Sequence, residues 1–110
     1  MSPNIQPLSI LCYREDNREV AHCLEMDLVA AASTREEAVR DLADIVRAHV
    51  RYAVEHDNLA HLFKPAPEAY WARLASATLF GKLKIDLSGD LPDRPVPARQ
   101  FELRELAASA

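Results

Sequence analysis

Val20 to Leu42, VAHCLEMDLVAAASTREEAVRDL, carries the chain from sheet into helix. Val20, His22 and Leu24 alternate with Ala21, Cys23 and Glu25, a period of two that sets the two groups on opposite faces of a strand. Asp27 to Ala32 (DLVAAA) reads as a further strand, one that depends on its flanks because alanine is a poor strand former. Ser33 and Thr34 then offer N-caps. Glu37 stands three positions after Thr34, the capping-box spacing in which each side chain satisfies an orphan backbone donor of the other residue. From there the period becomes 3.6: Val39, Leu42, Val46, Val50 and Ala53 form one stripe, widened by Ala38, Ile45 and Tyr52, and the helix is expected to run to about His56. Glu36, Arg40, Asp44, Arg47, Arg51 and Glu55 lie opposite, with Glu36/Arg40 and Arg51/Glu55 at the i, i+4 spacing of ion pairs. That is an ordinary solvated face.

Upstream, Leu8 to Arg14 (LSILCYR) is a first strand, and Glu15 to Arg18 (EDNR) supplies the turn that returns the chain as Glu19 to Leu24, a hairpin. Downstream, Lys64-Pro65-Ala66-Pro67 breaks the chain, with Pro67 suited to the first position of a short helix containing Tyr70, Trp71 and Leu74. Gly81 is expected to end that unit. Lys82 to Leu87 (KLKIDL) alternates polar and apolar residues as a strand, with Leu83, Ile85 and Leu87 on one side. Ser88 to Pro97 holds Gly89, Pro92, Pro95 and Pro97 and reads as a linker. Ala98 to Ala110 fits either a strand, by Phe101 and Leu103, or a helix, by Leu103, Leu106 and Ala107. The expected fold class is α+β: a small antiparallel sheet, β-β-β-α plus a short helix and a further strand, with one long helix packed on one face. Residues 1–88 are assigned to a single domain. Residues 89–110 are a Pro-rich linker and C-terminal segment, packing on that domain or on a partner chain.

The chain has 110 residues, 49% of them hydrophobic and 27% charged, which suits one folded domain with one main core. Seventeen acidic residues against thirteen basic give a net charge of -4, with no Lys/Arg cluster, so direct nucleic-acid binding is disfavoured and a basic protein partner is electrostatically suited. The opening MSPNIQPLSI lacks a basic segment followed by an unbroken apolar one, and no run of about 18 apolar residues follows, so the expectation is a cytoplasmic chain without a membrane span. Cys12 and Cys23 are expected as free thiols, diagonal to one another on one face of the hairpin.

The chemistry-bearing residues give no catalytic signature. His22, His49, His56 and His61 form no HExxH, and His49 and His56 are two helical turns apart, too far to converge on one ion. There is no GxSxG, and two glycines in all leave no phosphate-cradling loop. Glu25 and Asp27 flank a turn, where carboxylates are ordinarily solvated. No catalytic residue, metal or cofactor is therefore assigned. The hairpin is more informative. Leu11, Tyr13, Val20, His22 and Leu24 make a second apolar face opposite Cys12, Ala21 and Cys23, and one helix covers only one face. The second face must meet the short helix around Trp71, a second copy of the chain, or another protein, and these five residues are the candidate partner-binding surface, with a homo-oligomer as the expected state. A rival reading takes Phe63, Tyr70 and Trp71 as a stacking surface for RNA or a small ligand.

From Leu8 to about Val54 the chain resembles the HicB-like antitoxin family of bacterial toxin–antitoxin systems, through LCYRED, VAHCLEMD and STREEAVRDL. The resemblance implies a truncated ribonuclease H-like fold, three antiparallel strands and a helix, often with one more strand. It also implies a non-enzymatic role: masking a small basic RNA-cleaving toxin, or that of an orphan relative. Ribonuclease H chemistry itself needs carboxylates on the sheet to hold two metal ions, and LSILCYR has none. Many relatives carry a C-terminal DNA-binding segment, whereas Ser88 to Ala110 is Pro-rich and not basic.

The helix stripe is expected to anchor the fold. Leu42→Ala should destabilise the protein by about 2–5 kcal/mol, lowering its thermal midpoint. An unchanged melt would remove this stripe from the core.

Overall fold

A computed structural model describes residues 7–85 and 99–106 of the chain. Strands β1 (Leu8–Glu15) and β2 (Arg18–Cys23) form the expected hairpin, paired from Ile10↔Cys23 to Glu15↔Arg18. Only Asp16 and Asn17 remain in the turn, with φ of 53° and 62°. Two consecutive left-handed residues twist with the strands they join, and Asp and Asn tolerate that region better than other side chains. β3 (Leu28–Ala32) adds antiparallel to β2. Cys12 and Cys23 share a face on diagonal positions, since Cys12 faces Ala21 and Ile10 faces Cys23.

Helix α1 spans Arg35–Glu55 and starts at the expected cap. Thr34 is extended, with φ -125° and ψ 156°, and its hydroxyl accepts the Glu37 N–H at 3.1 Å. α1 lies over β2 and β3 and buries Ala38, Leu42, Ala43, Val46, Val50, Ala53 and Val54. Ile45 and Tyr52, expected in the stripe, are instead 37% and 58% exposed. The helix is rolled so that Ala43 and Val54 go down in their place. Periodicity defines the stripe's centre, whereas the sheet beneath decides which flank is covered.

After α1 come a single 3-10 turn, Leu59–His61, and helix α2 (Glu68–Ala75), for which Pro67 is the N-cap residue and not, as expected, the first helical one. β4 runs Thr78–Ile85, starting four residues before the expected Lys82, and Gly81 lies inside it at an irregularity between Leu79 and Gly81 rather than ending the unit before. Leu87 and the expected linker Ser88 to Pro97 fall outside the described residues.

The main correction concerns the closing segment. Arg99–Glu105 is a strand, β5, and it lies inside the sheet, whose order is β3-β2-β1-β5-β4. It runs parallel to β1, from Leu8↔Phe101 to Cys12↔Glu105, and antiparallel to β4. The five-stranded sheet is therefore mixed, not purely antiparallel, and this part of residues 89–110 packs on the domain as an integral strand. The α+β class stands.

Each sheet face has its own core. On one, Ile10, Cys12, Ala21 and Cys23 meet Leu42, Val46 and Val50 of α1, joined by Ile85 and Phe101. On the other, Leu11, Tyr13, Val20 and Leu24 are closed off by Ala66 and by the half-buried Tyr70, Trp71, Leu74, Ala77 and Leu106. Of the covers left open by the sequence, the chain's own α2 segment is the one present.

Phe101 is 0% exposed at the junction of β1, β5 and β4. Phe101→Ala should cost about 3–5 kcal/mol in urea unfolding. A loss below about 1 kcal/mol would mean that β5 is not an integral strand.

Candidate functional site

The five candidate interface residues, Leu11, Tyr13, Val20, His22 and Leu24, do lie together on one face of the hairpin, and all five are buried within the single chain. α2 holds them there by specific contacts. The Ala66 N–H donates to the Leu24 carbonyl at 2.8 Å, and the Trp71 indole N–H donates back to the Ala66 carbonyl at 3.0 Å. The Tyr70 ring meets His22 edge-on, with centroids 4.7 Å apart. The face is thus an intrachain seam, and its residues are not free to receive a partner while α2 is in place.

His22 is the one polar side chain in this seam whose ring is almost wholly buried. Its Nε2 lies 2.8 Å from Oδ1 of Asp27, and its Nδ1 lies 3.3 Å from the Tyr13 hydroxyl. A carboxylate oxygen accepts, so Nε2–H donates to Asp27, while Nδ1 shares a hydrogen bond with the Tyr13 hydroxyl. Both ring nitrogens are satisfied, which is what a buried imidazole requires. Asp27 reaches it from a left-handed backbone, φ 52°, at the end of the β2–β3 turn. Its neighbour Glu25 turns the other way and accepts the Ser9 N–H at 2.8 Å. The two carboxylates therefore act as local braces in different directions.

The other histidines are dispersed. His49 donates from Nε2 to the Leu62 carbonyl at 3.0 Å, and His56 donates from Nδ1 to the Tyr52 carbonyl at 2.9 Å while stacking on the Tyr52 ring. Among the described residues no three His, Cys, Asp or Glu side chains are grouped to hold a metal ion. Likewise, no helix among them is long and apolar enough to cross a membrane. The rival aromatic surface is divided: Phe63 is 47% exposed, whereas Tyr70 and Trp71 turn towards the hairpin.

One feature invisible in the sequence is the cleft where α1 begins. Glu19, Ser33, Thr34, Arg35, Glu36 and Glu105 line an open space of about 300 Å³. Arg35 pairs with both Glu105 and Glu36, and its guanidinium also sits 4.0 Å over the Phe80 ring. Glu105 reaches this point only because β5 lies beside β1. Arg14 also pairs with Glu19, at 3.8 Å, so three carboxylates meet two guanidiniums and the rim keeps a small acidic excess.

Cys12 and Cys23 lie in the core under α1, and burial pushes each thiol up from 9.0 to about 12. Burial likewise raises Tyr13 from 10.0 to about 12. The unfolded chain ionises these groups first, so their stabilising effect is complete below about pH 9 and is lost as pH rises toward 12. Urea midpoints should therefore fall between pH 9 and 11, and the fall should be shallower in Cys12→Ala/Cys23→Ala. A midpoint independent of pH across that interval, or rapid labelling of the native thiols at pH 8, would contradict their burial.

No family model, curated protein or solved structure matches this chain.

Proposed function

We propose that this chain is a non-enzymatic, HicB-like protein that acts in the cytoplasm by protein–protein association, as the antitoxin that masks a small basic ribonuclease. The observation that supports this most is the order of elements around β1. Three antiparallel strands lead through a Thr-capped helix, and a later strand returns parallel beside the first. That arrangement accords with the fold the resemblance implies: three strands, a helix and one more strand. The added strand is β5, reached after α2 and β4.

Two further observations favour association over catalysis. The carboxylates of the β2–β3 turn are engaged as braces, Glu25 on the Ser9 amide and Asp27 on His22. The chain's net charge of -4 and the acidic rim of Glu19, Glu36 and Glu105 suit a basic protein better than a phosphate backbone. Because α2 fills the hairpin's outer face, self-association would use a different surface from Leu11, Tyr13, Val20, His22 and Leu24.

Coexpression with a short basic reading frame adjacent to this one tests the proposal. The expected result is a single complex by size exclusion with light scattering, and loss of the neighbour's RNA cleavage when the complex forms. A neighbour that elutes separately, or that cleaves RNA equally well in the presence of this chain, would refute the antitoxin role.

A further inference from the structure

Strand β4 ends the sheet on the side away from β3, and among the described residues no strand lies along its outer edge. It is eight residues long, and Leu79 and Phe80 on it are 45% and 37% exposed. A long edge with apolar side chains is a template for another strand unless something blocks it. Here the modifying feature is charge. The whole chain has three lysines, and two of them, Lys82 and Lys84, stand exposed on this strand, on one face, in a protein of net charge -4.

The inner edge of β4 shows what such a strand accepts. In register, β5 sets Glu102 opposite Lys82, with the Glu102 carboxylate ion-paired to Arg104 at 3.1 Å, while on the other face Phe101 lies opposite Leu83 and Leu103 opposite Gly81. That is an alternation of apolar side chains with a carboxylate across from a lysine. A second copy of β4 fits poorly. Two antiparallel copies related by a two-fold axis keep each face continuous only when the axis passes through a residue. Centred on Lys82, that residue meets its own copy; centred on Leu83, Lys82 meets Lys84 twice; centred on Gly81, the irregularity at Leu79–Gly81 meets itself. Like charges directly opposite are destabilising.

We propose that the outer edge of β4 is a docking site for an extended segment of another protein, which joins the five-stranded sheet as an additional strand. The segment places carboxylates opposite Lys82 and Lys84 and apolar side chains on the face shared with Leu83. Backbone pairing supplies the affinity and the lysines select the sign of the partner. This inference rests on the reading of the chain as an association module and adds where, and to what chemistry, a partner binds.

The test is titration of the isotope-labelled full chain with acetyl-Glu-Val-Glu-Val-Glu-amide, followed by amide shifts, beside the same peptide with lysine in place of glutamate. The acidic peptide should perturb residues 78–85 and bind more tightly than the basic one. Lys84 faces the uncharged Gln100, so Lys84→Glu should leave the thermal midpoint unchanged while weakening the acidic peptide about two- to tenfold. Lys82→Glu/Lys84→Glu should reverse the preference. Shifts elsewhere in the sheet, no binding, equal affinity for both peptides, or an unaltered affinity in Lys84→Glu would overturn the proposal. So would an oligouridylate that perturbs the same amides in place of the peptide, or a dimer by light scattering that Phe80→Asp dissolves. Peptide failure beside an intact coexpressed complex removes the β4 edge alone, whereas peptide binding without such a complex removes the toxin reading alone.

Discussion

The structure depends on one constraint: the β1–β2 hairpin is apolar on both faces and must be kept dry on both. Residues such as Ile10, Leu11, Ala21, Cys23 and Leu24 are buried whichever side of the sheet they occupy. An antiparallel hairpin that used only α1 would leave Leu11, Tyr13, Val20 and Leu24 in water. The chain therefore crosses from one face to the other after α1 and lays α2 on the hairpin's outer side. The crossing is anchored at Ala66, whose N–H and carbonyl are taken up by Leu24 and Trp71.

The same constraint explains the polar groups. A face that must be dry can include His22 only if both ring nitrogens find partners, and Tyr13 and Asp27 supply them. The crowding of His22, Cys23, Glu25 and Asp27 into six positions resembles a site on paper. In space these side chains diverge: His22 towards α2, Cys23 under α1, Glu25 to the Ser9 amide and Asp27 back to His22.

Inserting β5 between β1 and β4 has consequences at a distance. It makes β1 an interior strand, brings Glu105 to Arg35 at the start of α1, and displaces β4 to the edge. α1 stays over β2 and β3, and exposed apolar residues stand at both edges of the sheet, Val29 on β3 and Leu79 and Phe80 on β4. The lysines on the β4 edge give it a polarity opposite to that of the acidic rim.

Local signals were sufficient for the hairpin, the capped start of α1, the α2 unit and the existence of a fourth strand, because each depends on neighbours within a few residues: alternation, an Asp-Asn turn, a Thr hydroxyl three residues from Glu37. The two apolar faces were equally legible, since alternation assigns faces without reference to the rest of the chain. What covers the second face, which flank of α1 goes down, and whether Arg99–Glu105 is strand or helix were decided only by tertiary structure. Phe101 and Leu103 suit a strand and Leu103 and Leu106 a helix until the open edge of β1 supplies a row of backbone partners. The acidic cleft belongs to the same class, for Glu19, Arg35 and Glu105 meet only after that pairing is made. Period and propensity act over one turn or one pleat, while the partner of an exposed face or edge is set by whichever distant segment buries it best.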